Sequence, residues 1–263
     1  MKNIRPANKI RRISGLFLVL LVITGTLTET AFAASGKMVT QNWSAAAVFY
    51  SSQSDETETF RMSEDEFLKY KVGLEERLIV AYSTYYNRLV DKEKEALQES
   101  QEAWIDCYYS YITSLEQLWL APVKIYFGVP GQERRTNVYR DIILLLLVNR
   151  VTDLEEWNEQ RFARIEGFFF ADISNELVSA KKQLQIDMGL CLYVIQEEYR
   201  AKISDSHQKF NTFLDSNQRF VSLITTGDET IITAEELLQV QRMSSITQIH
   251  YQGCRFFRRE REE

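Results

Sequence analysis

The chain has 263 residues, 45% of them hydrophobic, and 31 Lys and Arg against 37 Asp and Glu for a net charge of −6. That length can bury a sizeable core without help from disulfides. The acidic balance argues against nucleic acid, whose binding needs basic surface to displace counterions, and against an anionic membrane face.

Residues 1–33 have the pattern of a secretory signal peptide. Lys2, Arg5, Lys9, Arg11 and Arg12 form a basic n-region, residues 16–23 an apolar core, and Ala31-Phe32-Ala33 a small-x-small cleavage site. The apolar core is far short of the ~20 residues that span a bilayer. The expected product is exported (periplasmic, cell-envelope or secreted), begins at Ala34, and keeps no membrane span. Five of the 31 basic residues and one of the 37 acidic ones lie in this peptide, which leaves 26 positive and 36 negative side chains, a net of −10. Such a charge suits a basic partner, because opposite net charge speeds encounter.

Residues 34–62 mix Ser, Thr, Gln and Ala without a period and read as a flexible leader. Ser63 with Glu66 makes a capping box, and Phe67, Tyr70, Leu74, Leu78, Ala81, Tyr85 and Leu89 follow on one helical face. The charged run 91–95 breaks that stripe. A second helix carries Leu97, Trp104, Tyr108, Tyr111, Leu115 and Leu118 and stops at Ala121-Pro122. A short turn between two amphipathic helices predicts an antiparallel hairpin.

Gly128, Pro130 and Gly131 mark residues 122–136 as a loop, with a third helix from about Thr136 through the apolar run 142–148. Gly167 and the Phe cluster 168–170 suggest a bend, giving a first module over 63–166 and a second over 167–255, with a charged tail at 256–263. In the second module the pattern predicts one helix over 173–203, an interruption at 204–206, and a helix with Phe210, Phe213, Phe220, Val221 and Ile224. Thr233 with Glu236 reads as another capping box. The halves are weakly alike: 97–104 (LQESQEAW) aligns with 213–220 (FLDSNQRF), and 145–151 (LLLVNRV) with 237–243 (LLQVQRM), which pairs Arg150 with Arg242. Strand-type alternation is absent. The predicted class is all-α, a bundle of long antiparallel helices built as two related helical-hairpin modules.

Three cysteines, Cys107, Cys191 and Cys254, would allow one disulfide in an oxidising compartment, in any of three pairings. Catalysis has little to stand on. His207 and His250 have no metal-ligand spacing, Glu155-Glu156 and Glu197-Glu198 point apart on a helix, and there is no phosphate loop or nucleophile elbow. No enzyme activity, cofactor or metal is expected.

One stretch is more specific. Tyr86-x-x-Leu89, a Lys/Glu-rich elbow and Leu97-x-x-x-Gln101-x-x-Trp104 resemble the N-terminal domain of LprI-type lysozyme inhibitors, small helical modules exported into the bacterial envelope. The resemblance covers residues 74–118 well and 184–224 weakly. It implies a stoichiometric binder whose partner is lysozyme or another basic envelope protein. Tyr86, Leu89, Leu97, Gln101 and Trp104 match the family motif and have core spacing. Tyr82, Glu95, Glu99, Glu102, Asp106 and Tyr109 are the candidate partner-binding residues, an acidic and tyrosine-rich surface. The chain departs from the family at Tyr108-Tyr109, which stand where a charged Arg-Asp pair is usual. The alternative reading is a non-inhibitory protein- or glycan-binding module.

Overall fold

Helix α1 (Glu64–Tyr86) begins where Ser63 and Glu66 predict. The Glu66 N–H donates to Ser63 Oγ at 3.2 Å and the Ser63 N–H donates to Glu66 Oε2 at 2.8 Å, satisfying two donors that a helix start leaves over. The computed structural model describes residues 62–120, 129–163, 170–195 and 197–262. After α1 come α2 (Asp91–Leu115), a π-helical turn (Glu116–Leu120), α3 (Val129–Asn158), α4 (Phe170–Val194), α5 (Glu197–Ile224) and α6 (Glu229–Glu262). No strand occurs among the described residues, so the protein is an all-α bundle as its periodicity predicts.

The helices do not pair as a hairpin would. The α1 backbone packs along α3, α4 along α6, and α2 along α5, while α1 and α2 make little direct backbone contact. The α1/α3 pair is parallel: Arg140 donates to Met62 O at 2.6 Å, Arg77 forks onto Glu155 at 2.5 and 2.6 Å, and Arg88 donates to Asn158 O at 3.1 Å. The α4/α6 pair is parallel too, joined by Lys181 to Glu236 at 2.5 Å and by Ser244 and Gln248 to Asp187 at 2.5 and 3.0 Å. By contrast α2 and α5 run antiparallel, since Ser100 meets Asn217 while Ser114 meets Ser206 and Lys202. The reason lies in side-chain size. Ser100, Cys107 and Ser114 recur every seven residues along α2 and are all buried, and small residues on a seam let two helices approach closely. The expected hairpin gives way to this closer contact.

Other boundaries differ from the sequence reading for local reasons. Val129 to Thr136 is helical, because Pro130 sits in the first turn, where its missing N–H costs nothing. The break in the second half falls at Ile195, where Arg200 Nε donates to the Ile195 carbonyl at 3.2 Å, and residues 204–206 lie inside α5. Ser206 is there a contact residue, bonded to Ser110 at 2.9 Å and Ser114 at 3.0 Å. Helix α6 starts four residues before Thr233; Asp228 caps it, accepting from the N–H groups of Thr230 and Ile231 at 3.0 and 3.2 Å. The preceding turn uses Gly227 at φ +79°, its N–H closing onto Ser222 O at 2.9 Å. The expected tail at 256–263 is the end of α6 as far as Glu262. The signal peptide, nearly all of the leader, and the bend at 167–169 lie outside the described residues.

The core fills the space between these pairs. Ile142, Ile143, Leu144, Leu146 and Leu147 are buried, as the apolar run predicts, along with Leu97, Leu115, Leu154, Trp157 and Phe220.

Candidate functional site

The centre of the bundle is polar. Arg150, on the buried stripe of α3 with Leu147, Leu154 and Trp157, is 1% exposed. Its Nε donates to Gln101 Oε1 at 2.9 Å, Nη1 to Asn217 Oδ1 at 3.2 Å and Nη2 to Ser100 Oγ at 3.2 Å. Ser100 Oγ in turn donates to Asn217 Oδ1 at 3.0 Å. The guanidinium lies 5.5 Å from the Trp157 ring centre and 5.3 Å from that of Phe213. Thus α2, α3 and α5 are joined through one cation held by neutral oxygens and two π faces. Burial pulls its pKa down to about 10, with Asp153 and Tyr82 acting the other way, so it stays charged at neutral pH.

One turn along α3, Asp153 is also buried; it accepts from Gln239 at 2.9 Å and pairs with Arg242 of α6. Farther on, Glu235 of α6 accepts the Trp157 indole N–H at 3.3 Å and the Ala163 N–H at 2.7 Å through a single oxygen. Its Oε2 and the Asn158 Oδ1 are buried without a hydrogen-bond partner among the described residues. Burial raises the Glu235 carboxyl to about 7, against the pull of those two donors.

The motif residues fall mostly inside. Leu97 and Trp104 are buried, and Trp104 stacks on Tyr108 with ring centres 5.0 Å apart. Gln101 is the acceptor for Arg150. Tyr86 is half-buried, stacked on Tyr82 at 5.6 Å and covered by Lys94 at 5.6 Å. Leu89 closes the α1–α2 turn, its N–H donating to Tyr86 O at 3.3 Å.

The candidate partner-binding residues divide. Glu95, Glu99, Glu102 and Asp106 are all exposed; spaced four, three and four apart, they form one ridge on α2. Among them Glu99 faces Arg219 of α5 at 3.4 Å, both side chains mostly exposed. Tyr82 does not join this surface: it is buried, and burial pushes its hydroxyl up to about 12. Tyr109 is half-buried against the edge of Tyr108. Tyr85, Tyr108 and Tyr111 are core residues as well. The tyrosines therefore mostly pack the bundle, and what is left exposed of the candidate residues is the four carboxylates.

Cys107, Cys191 and Cys254 are free thiols in this structure, all buried. Burial raises Cys107 and Cys191 to about 12, which keeps them protonated and unreactive. His207 sits on Tyr111 at 3.3 Å, and Tyr111 also donates to Met243 Sδ at 3.3 Å. Among the described residues no three His, Cys, Asp or Glu side chains gather as a metal site, and no helix is long and apolar enough to cross a membrane.

Compared with protein-family models, with curated proteins and with solved structures, the chain matches none. Its function therefore has to be argued from its own residues. Arg150, Asn217, Asp153 and Glu235 escaped the sequence reading as a cluster. The available signal was an arginine interrupting the apolar run of α3 at a core position.

Proposed function

We propose that this is an exported binding protein that presents the α2 carboxylate ridge to a basic partner, and that the partner is a muramidase blocked stoichiometrically, as in the LprI-type inhibitors its 82–104 stretch resembles. The observation that carries this reading is the ridge: four carboxylates exposed along one helix, of which Glu99 alone pairs with a cation among the described residues. Their mutual repulsion is relieved when a cationic surface docks, which favours association at low salt. The rigid bundle behind α2 supports the reading, since a ridge fixed by the Arg150 joint and the Ser100/Cys107/Ser114 seam needs little ordering on binding. Titrating the activity of a basic lysozyme with the purified protein tests it. Loss of activity that saturates near equimolar protein and weakens with salt is expected; full activity at large excess would refute inhibition.

A non-inhibitory envelope binding module is the second reading. It is favoured by Tyr108, which stands in the place of the family's charged pair and is buried against Trp104.

We also propose that the halves are duplicates related by a pseudo-dyad. In antiparallel helices related by a dyad, equivalent residues meet at the axis. The alignment of 97–104 with 213–220 equates Gln101 with Asn217 and Ser100 with Ser216, and α2 crosses α5 where Ser100 bonds Asn217. The other alignment equates Arg150 with Arg242. Asp153 bonds Gln239 and Trp157 bonds Glu235, a register that brings positions 150 and 242 opposite each other. The parallel pairs α1/α3 and α4/α6 are then equivalent. An experimental structure in which α1–α3 superposes on α4–α6 by a half-turn is expected; a superposition needing a different helix order would contradict it.

A further inference from the structure

Glu235 occupies an unusual position for a carboxyl. It is 3% exposed, and a single oxygen receives both of its donors, Ala163 N–H at 2.7 Å and Trp157 Nε1–H at 3.3 Å. Its second oxygen is buried and has no hydrogen-bond partner among the described residues. Ala163 lies just beyond the turn that ends α3, where Gln160 takes φ +56° and the Arg161 N–H closes onto Glu156 O at 2.8 Å. The side chain therefore fastens the chain leaving the first half to the first turns of α6, in the second half.

Among the described residues, the surroundings give an ionised Glu235 little compensation. Helix α3 presents Trp157 and, one turn back, the Asp153 carboxylate, a like charge already engaged by Gln239 and Arg242. From α1 the facing titratable group is Tyr85, a neutral buried phenol. Helix α5 presents the Phe220 ring, 5.4 Å from that of Trp157. On α6 itself Arg242 is committed to Asp153, and Lys181 of α4 pairs with the neighbouring Glu236 rather than with Glu235.

We propose that Glu235 is a pH-dependent latch between the two halves of the bundle, closed when its carboxyl is protonated and released when it ionises. In the protonated form the carbonyl oxygen keeps both N–H bonds and the hydroxyl sits at the unbonded position without charge. Loss of that proton leaves a carboxylate oxygen buried with no donor, beside Asp153, in apolar surroundings. Turning the side chain to water relieves this, and doing so releases Ala163 and the Trp157 indole. The raised carboxyl, about 7 against a usual 4.5, fits this geometry. The linkage sign follows: stability from the latch is complete below the unfolded value of 4.5 and is lost as pH rises through about 7.

Amide hydrogen exchange on the whole protein tests this at the residue concerned. After correction for intrinsic base catalysis, the protection of the Ala163 N–H is expected to fall at least about tenfold between about pH 5 and about pH 8.5. The Glu235→Gln variant, which keeps the accepting oxygen and cannot ionise, is expected to show a flat profile. Equal profiles in the two proteins would overturn the latch. Should Glu235→Gln not fold, the Trp157 indole N–H resonance of the unmodified protein decides alone. A titration with a midpoint near neutrality supports the latch, and an indole that does not move across the range overturns it.

Discussion

Arg150 and Arg242 stand at aligned positions of the two halves, yet they meet different surroundings. Arg150 is sealed in the core among Gln101, Asn217, Ser100 and two rings, with no carboxylate hydrogen-bonded to it among the described residues. Arg242 is part-exposed at 18% and pairs with the buried Asp153. The first is a cation solvated by dipoles, which holds three helices in register; the second neutralises a buried acid. The two aligned positions thus have different structural uses, and the difference predicts how each responds to substitution.

Replacing Arg150 by Ala should be the most damaging single change at either position. It opens a cavity between Trp157 and Phe213 and leaves Gln101 and Asn217 without their donor, for a loss of about 3–5 kcal/mol by denaturant unfolding. Arg150→Lys should recover only part of this, because a point cation cannot serve three oxygens in a planar fork. If Arg150→Lys is as stable as the parent, the fork geometry is irrelevant. Arg242→Ala should cost less, about 2–3 kcal/mol, because losing the part-exposed guanidinium leaves the buried Asp153 carboxylate with Gln239 as its remaining donor among the described residues. A loss within about 0.5 kcal/mol, the size expected of an exposed side chain, would show that Asp153 is not what Arg242 serves.

The pH profile separates two buried polar groups of α6. Burial lowers His250 from 6.5 to about 4, so it folds neutral; its contribution is complete above 6.5 and is lost as pH falls toward 4. Glu235 acts in the opposite sense, and between 4.5 and 6.5 the two oppose each other. His250→Asn should therefore shrink the acid limb of a thermal-stability profile, to which the half-buried His207 also contributes, and leave the limb that falls toward neutral pH. A variant whose acid limb is unchanged would assign that limb to other groups. Smaller still, Ser100→Ala should cost about 1 kcal/mol, as one hydrogen bond to Arg150 and one to Asn217 are lost while the seam stays narrow. Neutralising the ridge with Glu95→Gln, Glu102→Gln and Asp106→Asn should leave stability within about 0.5 kcal/mol per site, because these side chains are exposed.

The sequence made the helices legible because their apolar residues recur every three or four positions, and the Ser63/Glu66 cap marked the first start. It misled wherever a polar residue lay on a buried face. Ser204–Ser206 read as a turn because the apolar stripe lapses there, whereas Ser206 is a small contact residue that lets α5 approach α2. Pairing was not legible either: amphipathic helices joined by a short turn can close on each other, but the serine–cysteine seam of α2 finds a better complement in α5. Tyr82 and its neighbours looked like a recognition surface because tyrosine suits both interfaces and cores; only packing distinguishes the two. The acidic ridge, in contrast, followed directly from spacing, since charged residues at that period have no place in the interior.

The most direct measurement is calorimetric titration of a basic lysozyme into the protein and into its ridge variant, at low and at physiological salt. Near one-to-one binding is expected, weakening with salt and falling by at least about tenfold when Glu95, Glu102 and Asp106 are neutralised. Absence of binding by the folded parent, or equal affinity for parent and variant, would contradict it.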